Sequence, residues 1–326
     1  MKAIRWTAYG EPEVLRLMSV DKPRPNSAEV LIKVHATTVT VGDCRLRSLR
    51  VPRGMEFATR LVFGITKPRC LIPGMHFSGE VTEVGSQVNG FKVGDRVFGS
   101  TGMKLGANAE YVCMAADKEM VGIPDTLSHE DAVSLIFGGL TALYFLRDKV
   151  NIKHGEHVLI NGGSGSVGSA AIQIAKYYGA TVSAICSANN QSLVRSLGAD
   201  DVIDYTKKDF SEKHGKYDVI LDTVGNFSFA HCQKLMTKTG RAILINVGIG
   251  TLLRSIFTKK LICGTASETK EALYFLLKLV QTGKFVPVID RVYPLEGIRD
   301  AHSYVDSGRK KGNIVISLVD NIPQVS

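Results

Sequence analysis

The sequence predicts an α/β chain of two units, a mostly β module and a doubly wound parallel sheet, on three observations. The length, 326 residues, is enough for two domains at roughly 100–200 residues each. Proline is unevenly spread: six of the ten fall at or before Pro73, Pro124 stands alone, and the next is Pro287. Inside that proline-free block, short β-branched runs alternate with stretches of helical periodicity. Strands joined by crossovers of this length pair in parallel, and a parallel sheet needs helices on both faces.

Before Pro124 the segments EVLIKVHATTV (29–39), SGEVTEVG (78–85), GDRVFG (94–99) and AEYVCM (109–114) read as strands between Gly, Pro and Asp turns. The apolar run from Ala132 to Leu146 is shorter than the ~20 residues that span a bilayer and reads as a buried helix. The α/β block then gives strand VLIN (158–161), helix 167–178 and strand TVSAIC (181–186). A helix over 192–198 follows, then strands at 201–205, 217–225, 241–248 and 261–264. Last come a helix, Ala272–Leu279, and the strand-like VPVIDRVY and NIVISL, which share the character of the first module. The expected domains are therefore 1–123 together with 264–326, and an inserted 124–263.

Composition bounds the function. With 44% hydrophobic and 22% charged residues, the chain is neither disordered nor a repeat of collagen type. Its six cysteines form no CxxC pair, which excludes a local zinc knuckle or redox pair and fits free thiols in a reducing, cytoplasmic setting. The amino-terminal stretch MKAIRWTAYGEPEVL has no apolar core of a signal peptide. A formal charge of +9 permits an acidic partner without establishing one. No nucleic-acid module accompanies it.

Gly163, Ser164, Gly165, Ser166, Val167 and Gly168 fit GxGxxG at the end of a strand and the opening of a helix. In this context Gly163 is expected to make the tight turn, Gly165 to let backbone approach a pyrophosphate, and Gly168 to let helix and strand pack closely. The helix N-terminus then presents N–H donors to phosphate. NAD-selective sites carry an acid about 20 residues on, yet positions 183–199 contain none, whereas Ser187 and Arg195 are placed to accept a 2′-phosphate. NADPH is the expected cofactor, with NADH as the alternative.

Other patterns carry less chemistry. His154 and His157 read as a solvated turn, and the YxxxK match of Tyr274 to Lys278 reads as packing. The stretch 44–70 holds seven basic residues against Glu56 alone, as a solvated loop or as a contact for an anion.

Taken together, MKAIRWTAYGEPEVL, PGMHFSGEVTEVG, FKVGDRVFG, AEYV, FGGLTALYFL, VLINGGSGSVGSAAIQIAKYYGA, SLGADDVIDY, YDVILDTVG and the tail from GKFVPVIDRVY to RKKGN resemble the medium-chain dehydrogenase/reductase superfamily. The resemblance is to its zinc-independent, quinone-oxidoreductase-like branch. It implies a GroES-like β-rich catalytic domain plus a Rossmann domain, and usually a homodimer. It also implies hydride transfer from NADPH to a small quinone or α,β-unsaturated carbonyl without zinc. A carbonyl reductase or alcohol dehydrogenase, and a non-catalytic NADPH-binding interaction protein, are the alternatives.

The zinc ligand positions of the metal-dependent relatives match Thr40 and Met75, so no metal is expected. His76 stands where the branch often has an acid, Asn108 where an aromatic is common, and Asn190 where some relatives place a lysine. By the resemblance, Asp43 and Arg47 lie beside the nicotinamide, Phe137 and Thr141 where the linking helix approaches it, and Tyr111 serves as support or proton donor. Ser187 and Tyr205 face the adenosine phosphate. Asn246, Val247 and Gly248 lie under the nicotinamide ribose, and Asn313 takes a tail position often held by lysine.

Overall fold

A computed structural model of the chain describes residues 1–206 and 216–319, so the last residues of the expected tail unit lie outside it. A six-stranded, all-parallel sheet has the spatial order Asp201–Asp204, Thr181–Cys186, His157–Asn161, Tyr217–Asp222, Met236–Leu244, Leu261–Cys263. Numbered along the chain that order is 3-2-1-4-5-6, the doubly wound arrangement. Alternation within single strands explains why both faces are covered. Val158, Ile160, Val182, Val219 and Leu221 enter one core, while Leu159, Ile185, Ile220 and Leu244 enter another on the opposite face. Each such side chain contributes roughly 1.5–3 kcal/mol on burial.

The second sheet has the path Ile289–Pro294, Asn313–Ser317, Glu29–Val39, His76–Val84, Arg96–Ser100, Met120–Gly122, with Tyr111–Ala115 also paired to Glu29–Val39. Residues from both ends of the chain therefore share one sheet, with Ile314 opposite Val39 and Ile316 opposite Thr37. The amino-terminal strands Lys2–Trp6 and Leu15–Ser19 form a separate hairpin-like pair. Its Ile4, Trp6 and Leu15 pack with Ile298, Ala301 and Val305 of helix Ile298–Asp306.

Two elements lie near the expected domain boundaries. Helix His129–Ser134, just past Pro124, lies on the mixed sheet: His129 Nδ1 is 2.8 Å from Ser78 Oγ, and Glu130 accepts from Ser317 at 3.0 Å. Helix Lys270–Gln281 belongs to both sides. Lys270 donates to the carbonyl of Ala116, while Phe275 meets Tyr177 edge-on at 5.7 Å. The apolar run 132–146 is several helical pieces, Ile136–Leu143 being followed by a π-helical turn, Tyr144–Lys149. The basic stretch 44–70 is not one loop. It contains helix Glu56–Phe63 and the end of helix Val41–Ser48.

Candidate functional site

Strand His157–Asn161 runs into a turn whose left-handed residue is Gly162, with φ +83°. This corrects the sequence expectation, which put the tight turn on Gly163. Gly163 instead packs on the neighbouring strand, where a Cβ would sit 3.0 Å from the Ala184 methyl. Helix Ser166–Tyr177 begins immediately, with Gly165 as its N-cap. A Cβ on Gly168 would fall 2.1 Å from the Gly162 carbonyl oxygen, so close packing of this first turn requires glycine. The helix N-terminus carries unsatisfied N–H groups and a partial positive charge.

The turn stands where crossovers from the sheet diverge, between His157–Asn161 and Tyr217–Asp222, and open parallel sheets have their ligand crevice there. Asp222, fully buried, fixes the crevice wall. It accepts from Asn161 Nδ2 at 2.8 Å and from the backbone N–H groups of Val224, Gly225 and Phe227 at 3.0–3.1 Å. Sequence reading missed this role, because a strand-terminal Asp before Thr-Val-Gly looks like any turn residue.

On the outer side of the crevice, Ser187 is half-buried at the end of Thr181–Cys186, and Tyr205 is exposed at the end of Asp201–Asp204. Asn190 donates to Ser164 Oγ at 2.9 Å, which ties this region to the glycine turn. On the inner side, Asn246 lies against Gly225 and Val247 follows it. Gly248 caps helix Ile249–Ile256, whose first N–H reaches the Arg53 carbonyl at 3.2 Å. Asn246, Val247 and Gly248 line one depression with Gly225 to Phe229.

Across from these, Thr40 caps helix Val41–Ser48 in a reciprocal box. Asp43 Oδ2 accepts from the Thr40 amide at 2.8 Å and its hydroxyl at 2.6 Å. Burial pushes the Asp43 carboxyl up, against the Thr40 hydrogen bond and the charge of His76, which pull it down. His76, 1% exposed, holds Thr38 Oγ1 at 3.1 Å through Nδ1 and Glu268 Oε1 at 3.4 Å through Nε2. Its ring lies 6.1 Å from that of Phe137. Burial alone would raise Glu268, but the His76 hydrogen bond and charge hold it below the usual carboxylate range. Thr40, Asp43, His76, Phe137 and Glu268 thus form one cluster. Glu268 had no motif to announce it, being 192 residues from its partner.

Other expected residues lie elsewhere. Arg47, 1% exposed, does not face the crevice. It donates to the Gly10 carbonyl at 2.6 Å and His302 Nδ1 at 3.3 Å, and pairs with Asp306. Its helix turns this face onto helix Ile298–Asp306 because Cys44 and Arg47 are one turn apart. Tyr111 sits under Lys22 in a depression with Met1, Arg5 and Val20, outside the cluster. Thr141 gives its hydroxyl to the Phe137 carbonyl at 2.6 Å, within their helix. Asn313 donates to the Val288 carbonyl at 3.0 Å, bracing neighbouring backbone. Of the two histidines read as a turn, His157 opens the first parallel strand and reaches Ser183 at 2.9 Å. Among the described residues no group of three or more His, Cys, Asp or Glu could hold a metal ion.

Two families match the chain. Residues 26–125 match the alcohol dehydrogenase GroES-like domain and residues 197–316 the zinc-binding dehydrogenase family. A 2-methylene-furan-3-one reductase of Solanum lycopersicum is 35% identical, over 97% of this chain and 79% of that protein. The structure of the quinone oxidoreductase from Coxiella burnetii superposes with a TM-score of 0.87 at 31% identity, covering 98% of this chain and 99% of that one. A mycobacterial structure complexed with NADPH superposes with a TM-score of 0.81 at 26% identity, over 97% of this chain and 100% of that one.

Proposed function

Because the chain belongs to the medium-chain dehydrogenase/reductase superfamily, in its quinone-oxidoreductase-like branch, we propose that it is a zinc-independent, NADPH-dependent reductase of quinones or α,β-unsaturated carbonyls. The observation that carries the reading is the glycine turn: Gly168 closes on Gly162, and the helix N-terminus opens onto the crevice between His157–Asn161 and Tyr217–Asp222. Residues 163–168 would hold the pyrophosphate, Ser187 and Tyr205 the adenosine end, and Asn246 to Gly248 the inner ribose. When bound, the cofactor supplies the hydride.

The chain's own residues supply the rest. Phe137 gives the crevice an apolar wall beside His76. His76 Nε2 and Glu268 Oε1 lie 3.4 Å apart beside it, and the Asp43 carboxyl, pushed up by burial, is in electrostatic contact with His76. Thr40 and Met75 offer no zinc ligand set, so a carbonyl is polarised here by hydrogen bonds, which stabilise charge less than a Lewis acid does. That favours acceptors which delocalise the added charge, as conjugated enones and quinones do.

The reading includes a homodimer and a cytoplasmic setting. All six cysteines are free, and among the described residues no helix is long and apolar enough to cross a membrane. The test is oxidation of NADPH and NADH against quinones, enones and aldehydes, with and without EDTA. Turnover of quinones or enones with NADPH that survives EDTA is expected. Full loss on chelation, turnover of aldehydes alone, or cofactor binding without turnover would overturn it.

A further inference from the structure

The loop Gly308–Gly312, between helix Ile298–Asp306 and strand Asn313–Ser317, lies directly on the glycine turn. Gly312 N–H donates to the Ser164 carbonyl at 2.8 Å, and Gly312 bridges to Gly165. The Gly312 carbonyl in turn accepts from Ser166 Oγ at 2.6 Å. This docking turns Lys310 inward. Its Nζ donates to Ser166 Oγ at 2.5 Å and to the Gly312 carbonyl at 2.7 Å, and among the described residues it forms no ion pair. An ammonium with no ion-pair partner among the described residues therefore sits at the first residue of helix Ser166–Tyr177, the helix end that is itself partially positive. Two like-signed features facing each other are stabilised by an anion shared between them.

We propose that Lys310 is the cation that neutralises the cofactor's pyrophosphate, acting together with the N–H groups of helix Ser166–Tyr177. The assignment rests on the dinucleotide reading above. It concerns the part that NADPH and NADH have in common, so it is independent of the choice between them. None of the glycine-motif residues supplies a full charge, and Lys310 reaches them from the other unit of the fold. A phosphate seated on this turn would join both units through one ion contact.

The groups facing Lys310 make its protonation readable. Asp290, on strand Ile289–Pro294, favours the charged form from beyond ion-pair distance, and its Oδ2 already accepts from Tyr304 and the Lys311 amide. Cys44, on helix Val41–Ser48, is held as the neutral thiol by burial. Burial lowers Lys310 to about 8. A bound pyrophosphate would raise it again, so binding near pH 8 takes up a proton, approaching about half a proton per site.

The experiment is calorimetric titration of the full chain with NADPH, NADH and ADP-ribose at pH 8 and pH 6, in buffers of different ionisation enthalpy. Wild type should take up protons at pH 8 and almost none at pH 6. Lys310→Met should weaken all three ligands by about tenfold and abolish the uptake. Lys310→Arg, which keeps the charge but does not titrate, should retain affinity and lose the uptake. Unchanged affinity and persisting uptake in Lys310→Met would overturn the role of Lys310 alone. Failure of wild type to bind any dinucleotide would overturn the reading of the glycine turn, and the role of Lys310 with it.

Discussion

Gly165 and Gly168 look alike in the sequence, yet the space around them differs, and that difference separates binding from folding. A methyl on Gly168 would meet the Gly162 carbonyl oxygen at 2.1 Å, whereas one on Gly165 would meet it at an ordinary 3.5 Å. Gly168→Ala should therefore cost about 1–3 kcal/mol of stability by overpacking, together with cofactor affinity. Gly165→Ala should melt like wild type but bind NADPH more weakly, because its methyl crowds the phosphate and nothing else. Thermal melts and fluorescence titration of both variants check this. Arg47 gives the complementary case. Its guanidinium is buried between Gly10, His302 and Asp306, and Arg47→Met should cost on the order of 3 kcal/mol, less whatever solvent reaches Asp306. The protein that still folds should bind cofactor with unchanged affinity; a selective loss of affinity would return Arg47 to the crevice. The glycine pattern was legible because its chemistry is local. Arg47 misled because a matched motif gives position along a helix, and only the packing of helix Val41–Ser48 on Ile298–Asp306 decides which face turns inward.

At the scale of elements, strands were read more closely than helices. Glu29–Val39 and Thr181–Cys186 match their sequence limits residue for residue, since β-branched runs bounded by turn residues leave little choice. The helices Glu56–Phe63 and Ile249–Ile256 escaped notice for a physical reason: neither fully buries a residue, and Phe57, Leu61, Val62, Ile249, Leu253 and Ile256 are exposed. Ile249, Leu253, Ile256 and Phe257 form a stripe at helical spacing with 46–86% exposure. It adjoins Leu261–Cys263, the outer strand of the parallel sheet. An apolar stripe beside an open sheet edge is a self-association surface in waiting. Leu253→Glu with Phe257→Glu should convert the proposed dimer to a monomer by light scattering, with the melting temperature of each protomer little changed. Retention of the wild-type mass would place any dimer contact elsewhere. The cap of helix Val41–Ser48 is a smaller matter. Thr40→Ala should cost about 1 kcal/mol in urea denaturation, while Thr40→Ser should cost less because its hydroxyl still reaches the Asp43 amide.

For the whole molecule, proline spacing pointed to one unit inserted within another, and one mixed sheet does draw strands from both ends of the chain. The seams were not legible, because helix His129–Ser134 is fixed to the mixed sheet by contacts of His129 and Glu130, while helix Lys270–Gln281 meets both units, and periodicity does not say which neighbour a helix chooses. Two buried histidines also set how the fold responds to acid. His302, 1% exposed beneath Arg47, is lowered to about 3 by burial and then by the Arg47 charge. His129, between Ser78 and His35, is lowered to about 3 by burial, then by the charges of His35 and Arg96. Both are neutral bases in the native state, whereas in the unfolded chain they bind protons near 6.5. As pH falls below about 6.5 the unfolded state gains protons that the native state does not, so stability is full above that value and declines down to about 3. For fully buried His302 the slope is on the order of 1.4 kcal/mol per pH unit across that window. His129 is only half-buried and adds less. Urea denaturation at pH 7.5, 6.0 and 5.0 should show the midpoint falling with acid. His302→Asn, which does not titrate, should flatten the decline while starting from a lower midpoint at pH 7.5. An equally steep decline in that variant would assign the acid sensitivity to other groups and show that His302 is protonated within the fold.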